Sequence, residues 1–195
     1  MCCTTRRTVN TYYAPGAYSI LVPTAIMQRP FLYLDGPPAL NYGGLGSLRQ
    51  ITPNARADIL SQHSNDDDKD IDVGYRLELP LQLLSVYRHP DTLDDDVDSE
   101  SLADLVGARL AYDTFSSFPE VYKGVTLAGF NMSSEQLFFV NHCVKLCAEK
   151  SKMAKRYAPY RSRCIVPLRN MLEFSRAFGC KTGTLMNPPE KCSFW

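Results

Sequence analysis

Apolar residues recur at helical spacing through the C-terminal half of this 195-residue chain, and this pattern restricts the fold most strongly. The first run contains Leu102, Leu105, Val106 and Leu110 at three- and four-residue intervals. Ser99 is the predicted N-cap of this helix, and Glu100 is its predicted first residue. The pattern therefore predicts an amphipathic helix that buries one face against a core.

Two more helices are predicted downstream. Ser133 and Gln136 have the spacing of a capping box, and apolar residues follow on one face of the helix that they begin. A third helix is predicted to begin at Asn170, with Glu173 in its first turn and Gly179 as a left-handed C-terminal cap. Residues 99–195 are therefore predicted to be a helical unit.

The preceding residues differ in character. Residues 1–46 carry short β-branched and aromatic runs broken by Pro and Gly, and the best predicted strands are Thr8 to Tyr13 and Tyr18 to Val22. Residues 47–98 contain the acidic runs DDDKDID and DTLDDDVD. Such composition predicts a divergent, solvated and partly disordered insert between the two other segments.

Charge composition excludes one class of function. The 21 basic and 21 acidic residues give a net charge of zero, and no basic field favours nucleic acid. Nothing in the chain reaches the roughly 18 apolar residues of a membrane span, and its first residues have no apolar run of signal-peptide length. Neither a nucleic-acid partner nor a membrane anchor is therefore expected from this chain.

Seven cysteines are many for a cytosolic protein and are typical of a secreted one. The odd number leaves at least one thiol outside intrachain disulfides. Cys143, Cys147 and His142 also allow a metal site, but cysteines four residues apart on a helix are more often core residues. His142, like the two other histidines, is predicted to be a packing or surface residue.

Glu100 and Asp104 place two carboxylates on one face of the first predicted helix. Two like charges at this spacing repel each other unless a cation lies beside them. A bound metal provides that charge, whereas the simpler interpretation is an acidic helix N-terminus, which the helix dipole favours. The spacing leaves both interpretations open.

Several motifs together resemble the neprilysin and endothelin-converting-enzyme family of zinc metallopeptidases. The N-terminal ones are NTYY, AIMQRPF and ALNYGGLG, which begin at Asn10, Ala25 and Ala39. The C-terminal ones are the E-x-x-A-D-like run from Glu100 to Asp104, SEQLFF from Ser134, and a terminal series that ends at Trp195. The resemblance implies an α+β, helix-dominated fold that forms part of a thermolysin-like (gluzincin) metallopeptidase domain.

In such enzymes the resemblance implies a zinc ion bound by the two His of H-E-x-x-H and by a Glu from a second helix. Glu100 corresponds to that third ligand, and Asp104 to an acid that orients a ligating His. Asn10 and Thr11 correspond to residues that bind the substrate backbone, and Arg163 to one that binds a substrate carbonyl. The implied partners are small peptides, cleaved on the amino side of hydrophobic residues, outside the cell or at its surface.

This chain departs from the family at the metal site. Counting on from Gly46, the H-E-x-x-H positions fall on Ile51, Thr52 and Ala55, none of which binds zinc or acts as a base. Pro53 also disfavours the helix that presents them. Glu100 and Asp104 are therefore predicted to be vestigial, and this chain is predicted to bind no zinc and to be catalytically inactive.

Other family features are also missing. Cys147, Cys180 and Cys192 match family cysteines whose partners lie in parts absent from this chain. They are expected to be unpaired, or to pair with Cys2, Cys3, Cys143 or Cys164. Without the family's N-terminal half, exposed apolar faces are expected to favour self-association.

Three hypotheses follow for the function. The chain is an inactive descendant of a zinc endopeptidase, a peptide-binding module without catalysis, or the product of a mis-joined transcript in which residues 47–98 replace the zinc-binding helix. Sequencing the transcript across Gly46 to Ser99 tests the third hypothesis.

Overall fold

The computed structural model describes residue 9 and residues 11–14, 19–48, 95–147 and 158–191, and the fold is that of these residues. Two short strands, β1 (Tyr12–Ala14) and β2 (Ser19–Leu21), pair in antiparallel register with Tyr12 opposite Leu21. Both lie at the predicted strand segments, although β1 is displaced toward the C-terminus. A single 3₁₀ turn (Thr24–Ile26) follows the hairpin.

Helix α1 (Pro38–Asn41) continues directly into a π-helical turn (Tyr42–Gly46), and the two pack against the other helices of the core. Small residues permit this approach. A Cβ atom at Gly43 would collide with the carbonyl oxygen of Phe138, and one at Gly44 would lie 2.6 Å from that of Phe31. Ser47 immediately follows the turn and is buried.

The longest helix, α2, spans Asp95–Ser116, so it begins earlier than predicted. Ser99 lies inside the helix and is not its cap. Three of its first four residues are aspartates, and acidic residues at a helix N-terminus interact favourably with the helix dipole. The helix thus starts within the segment that was predicted to be the insert, most of which lies outside the described residues.

A short helix, α3 (Glu120–Lys123), precedes α4 (Ser134–Val144). The capping box of α4 is confirmed. The Gln136 N–H donates to Ser133 Oγ at 3.1 Å, and the Ser133 N–H donates to Gln136 Oε1 at 3.0 Å. Gln136 Nε2 also donates to the Ala177 carbonyl at 2.8 Å, so this cap fixes α4 against the C-terminal region of the chain.

Two helices occupy the C-terminal region, α5 (Tyr160–Arg169) and α6 (Leu172–Ala177). The prediction that a helix begins at Asn170 is wrong, because Asn170 is the C-cap of α5. Helix α5 was not predicted, since it contains Pro167, which disfavours a helix interior. The prediction for Gly179 is confirmed: its φ of 63° ends α6 in the left-handed region.

The core lies where α1, α2, α4 and α6 meet. Phe115, Phe138 and Phe139 are almost completely buried, and the Tyr112 ring stacks on Phe139 with centroids 5.1 Å apart. Phe174 packs edge-on against Phe139. These aromatic contacts connect α2 to α4, and α5 also packs against α2.

Candidate functional site

Five polar side chains from four elements meet beside the aromatic core. We call them the polar cluster: Ser47 after the π-helical turn, Asp104 on α2, His142 and Lys145 at the end of α4, and Arg163 on α5. Residues 47, 104, 142 and 163 are distant in sequence, and packing of the four elements brings them together.

Asp104 and Arg163 form a bidentate ion pair. Arg163 Nε donates to Oδ2 at 2.6 Å, and Nη2 donates to Oδ1 at 2.7 Å. The two side chains are only 16% and 17% exposed. Two parallel charge-assisted hydrogen bonds at low exposure fix the orientation of the guanidinium more firmly than a surface pair does.

Lys145 contributes a second cation to the polar cluster. Its Nζ contacts Ser47 Oγ and lies 3.5 Å from the Gly43 carbonyl oxygen and 3.4 Å from His142 Nδ1. Ser47 Oγ in turn donates to the Gly43 carbonyl at 2.6 Å. Although the residue as a whole is half-buried, burial of the ammonium lowers the pKa of Lys145 to about 7; the Asp104 carboxylate opposes this shift and Arg163 adds to it.

His142 is buried and uncharged. Burial holds its pKa well below the usual range, the Lys145 charge lowers it further, and the Arg163 backbone partly offsets the shift. Its Nε2 has no hydrogen-bond partner among the described residues. His142 is thus a packing residue, as predicted.

One disulfide, Cys143–Cys164, joins α4 to α5 beside the polar cluster. This pairing was not predicted, because Cys143 and Cys164 were considered only as partners for Cys147, Cys180 or Cys192. Cys147 and Cys180 are free thiols in the described part of the chain, whereas Cys192 lies outside it. The alternative metal site at Cys143, Cys147 and His142 is wrong, because the Cys143 sulfur is bonded to Cys164.

The other predicted site residues differ in how far the structure describes them. Glu100 lies one turn before Asp104 on α2, where only its backbone is described, and Asn10 lies outside the described residues. Thr11 is buried, and its Oγ1 donates to the Leu48 carbonyl at 3.0 Å. This hydrogen bond ties β1 to the segment after the π-helical turn.

The described residues do not fit a zinc ion. A catalytic zinc needs three protein ligands, and no group of three candidate ligand side chains lies together in the described ranges. Both Asp104 oxygens accept hydrogen bonds from Arg163, and the Lys145 ammonium lies nearby. The Arg163 guanidinium beside this carboxylate, together with Lys145 when it is protonated, disfavours a further divalent cation through charge repulsion.

Sequence reasoning missed Ser47 and Lys145. The available signal for Lys145 was a basic residue three positions after His142, within an otherwise apolar helix end. Nothing in the local pattern of Ser47 indicated its contact with Lys145, because that contact joins residues 98 positions apart. The helices in the described part of the chain include no candidate membrane span.

Comparison with known proteins shows the family. The model of peptidase family M13 matches residues 10–50 and 88–194, so the H-E-x-x-H positions fall in the segment between the two matched parts. The chain is similar to neprilysin-3 of Drosophila melanogaster, with 30% identity over 98% of this chain and 27% of that protein. It is also similar to human endothelin-converting enzyme 1, with 28% identity over 96% and 27%.

Solved structures of low identity share the fold. PepO from Lactobacillus rhamnosis has a TM-score of 0.58 at 19% identity, covering 94% of this chain and 30% of that one. The Haemonchus galactose-containing glycoprotein complex gives a TM-score of 0.72 at 19% identity, covering 95% and 35%. The chain therefore spans about a third or less of the proteins that it matches.

These likenesses agree with the helix-dominated, partial thermolysin-like fold that the motifs predicted. The family model covers both the strand-containing N-terminal segment and the helices that carry the polar cluster. The chain therefore belongs to peptidase family M13, together with the neprilysins and endothelin-converting enzymes.

Proposed function

We propose that this chain is an M13 family member that binds peptides without hydrolysing them. The observation that carries the proposal is the replacement of the family's two histidines and its catalytic glutamate by Ile51, Ala55 and Thr52. Aliphatic and hydroxyl side chains neither bind a catalytic zinc nor accept the proton of an attacking water. Glu100 is then the remaining member of the ligand set.

The charge around Asp104 supports the same proposal. In the family pattern this acid orients a zinc-bound histidine, whereas here its carboxylate is bonded to Arg163, with Lys145 close by. The Arg163 guanidinium thus supplies a counter-charge for Asp104 without a metal.

The peptide-binding part of the proposal rests on Arg163 and the hairpin. A guanidinium held by a bidentate carboxylate is oriented in advance, so little conformational entropy is lost when it donates to a peptide carbonyl. Strands β1 and β2 form a two-stranded sheet in the described chain, and a sheet edge can bind an extended peptide through backbone hydrogen bonds. Asn10 and Thr11 adjoin β1 in sequence.

Two measurements test hydrolysis. We expect purified protein to contain no stoichiometric zinc by elemental analysis and to leave a neprilysin-type fluorogenic peptide uncleaved. Bound zinc at one equivalent, together with cleavage that a chelator abolishes, would refute the inactive assignment. The same assay on a catalytically active neprilysin verifies that the substrate and buffer are suitable.

Calorimetry tests peptide binding. We expect a short capped peptide with a central Phe or Leu to bind equally with and without chelator, and Arg163→Met to weaken its binding about tenfold, the effect of one lost charge-assisted hydrogen bond. Arg109→Met is the matched control, because Arg109 pairs with Asp113 and Glu173 outside the polar cluster. Absence of peptide affinity in the wild-type protein would refute this part of the proposal.

We place the protein outside the cell or at its surface, because the Cys143–Cys164 disulfide persists in an oxidising compartment.

Exposed apolar side chains, among them Leu34 (89%) and Val121 (87%), support contact with another M13 segment or with a second copy. Light scattering after size-exclusion chromatography tests this, and a monodisperse, protease-resistant monomer at high concentration would contradict it.

A further inference from the structure

The loop between α3 and α4 carries an asparagine that differs from the others in the described chain. Asn131 begins the only Asn-x-Ser/Thr sequence of the protein in which x is not proline. It is exposed, and its amide has no hydrogen-bond partner among the described residues. The other described asparagines each donate Nδ2 to a backbone carbonyl: Asn41 to Tyr33, Asn141 to Leu40, Asn170 to Val166 and Asn187 to Cys180.

Packing of the loop leaves room for a large substituent beside Asn131. Leu127 and Met132 pack against the hydrophobic core on the two sides of it. Between them the Phe130 N–H donates to the Leu127 carbonyl at 3.1 Å, in a turn that places Gly129 at a φ of 83°. Phe130 is 58% exposed, and a Cβ at Gly129 would meet no atom within 4 Å beyond its chain neighbours.

Ser133 provides the hydroxyl of the Asn-x-Ser sequence. In the folded chain its Oγ accepts a hydrogen bond from the Gln136 N–H at 3.1 Å, as the N-cap of α4. This bond requires the helical first turn, so the hydroxyl is not engaged in it before α4 forms. A reaction that needs the Ser133 hydroxyl therefore precedes folding, and the exposed loop accommodates the product afterwards.

We propose that Asn131 is an N-glycosylation site, which receives an oligosaccharide from a lipid-linked pyrophosphate donor. The inference rests on the proposed location outside the cell and is independent of peptide binding. In the transfer, Asn131 Nδ2 bonds to C1 of the first sugar, the C1–O bond to pyrophosphate breaks, the lipid pyrophosphate leaves and the amide loses one proton. A bulky, hydrated glycan excludes this loop from close protein contacts, so the proposed contact with a second copy uses apolar side chains away from it.

Expression in the secretory pathway tests the site on the full chain. Insect or mammalian cells produce it behind a cleavable secretion signal, so that glycan transfer does not depend on the natural location. Peptide:N-glycosidase F then converts each glycosylated asparagine to aspartate, and mass spectrometry identifies its position. We expect one glycan on most chains, at Asn131. Asn131→Gln should abolish the gel shift on deglycosylation, whereas Ser133→Thr, which keeps both the hydroxyl and the N-cap, should retain it.

Two results with this protein would overturn the inference: an unmodified Asn131, or a glycan that persists in Asn131→Gln. Signal cleavage marks the chains that have entered the lumen, and the glycan is read in secreted and retained protein alike, so poor folding does not affect the test. Protein from the natural source separates the site from the location. A Cys143–Cys164 disulfide without a glycan overturns the site, whereas free thiols at both cysteines without a glycan overturn the location on which it rests.

Discussion

The ion pair between Asp104 and Arg163 gives the most quantitative prediction. Asp104→Asn keeps the shape of the side chain and removes its charge, leaving the Arg163 guanidinium only 17% exposed and near Lys145. Removing one partner of a buried ion pair costs about 3–5 kcal/mol, because the other charge stays desolvated without the opposite charge of its partner. Since both side chains keep some exposure, we expect a loss of about 3 kcal/mol.

Urea unfolding followed by circular dichroism measures this loss. With a slope of about 2 kcal/mol/M, the expected change lowers the urea midpoint by about 1.5 M while leaving the slope unchanged. Asp113→Asn is the matched control, because Asp113 pairs with Arg109 on the same helix but is 44% exposed. Exposed pairs of this kind contribute about 0.3–0.5 kcal/mol.

The Asp104–Arg163 pair is not weakly screened if Asp104→Asn lowers the free energy of unfolding by less than about 1 kcal/mol, or by no more than Asp113→Asn does. Either outcome would mean that water screens the Asp104 pair as it does a surface pair. Charge repulsion in the polar cluster would then be too weak to disfavour a metal ion, because such repulsion requires a weakly screened environment.

Four further predictions concern the polar cluster and its support. The pKa of Lys145 is about 7 in the folded state and an ordinary 10.5 in the unfolded chain, so between these pH values the unfolded chain binds one more proton. The free energy of unfolding should therefore rise from pH 7 to pH 10 in urea titrations, and Lys145→Met should remove this rise. The lowered pKa of His142 acts in the same direction below pH 6.5, so stability should fall as the solution is acidified, unless His142 is replaced by Phe. Gly43→Ala should lower the free energy of unfolding by about 3 kcal/mol in calorimetric melting, because the added Cβ meets the backbone of α4. Gly46→Ala is the control and should cost under about 1 kcal/mol, because its Cβ would lie 3.4 Å from the Tyr42 ring, which can shift. Reducing the disulfide, whose cysteines are 21 residues apart, should lower the free energy of unfolding by about 3 kcal/mol, and an unchanged urea midpoint would contradict this.

Local sequence signals gave the helix ends that depend on neighbouring residues. The capping box at Ser133 was predictable because both of its partners lie within four positions of each other. Gly179 was predictable because glycine readily adopts the left-handed conformation that ends α6. The start of α2 was misplaced because Ser99 competed as a cap with the acidic run before it, and the helix extends through both.

Helix α5 depends on packing between distant segments. Pro167 disfavours a helix interior, yet Val166, Pro167 and Leu168 are all buried beside α2 and α6, and that burial outweighs the local cost. The hydrophobic periodicity of one segment does not report burial against distant helices, so it could not predict α5. Arg163 was assigned by family resemblance, and its partner Asp104 became known only from the packed helices.

The proposed loss of zinc follows from the amino-acid sequence, because Ile51, Thr52 and Ala55 fall on the positions counted as H-E-x-x-H and are poor zinc ligands in any fold. The arrangement around Asp104 does not follow from the sequence. The Asp104 carboxylate accepts hydrogen bonds from Arg163, which is 59 residues away, and Ser47 contacts Lys145, which is 98 residues away. A disulfide joins Cys143 and Cys164 on two different helices. Side-chain chemistry is fixed residue by residue, whereas charge pairing requires distances that exist only after the helices have packed.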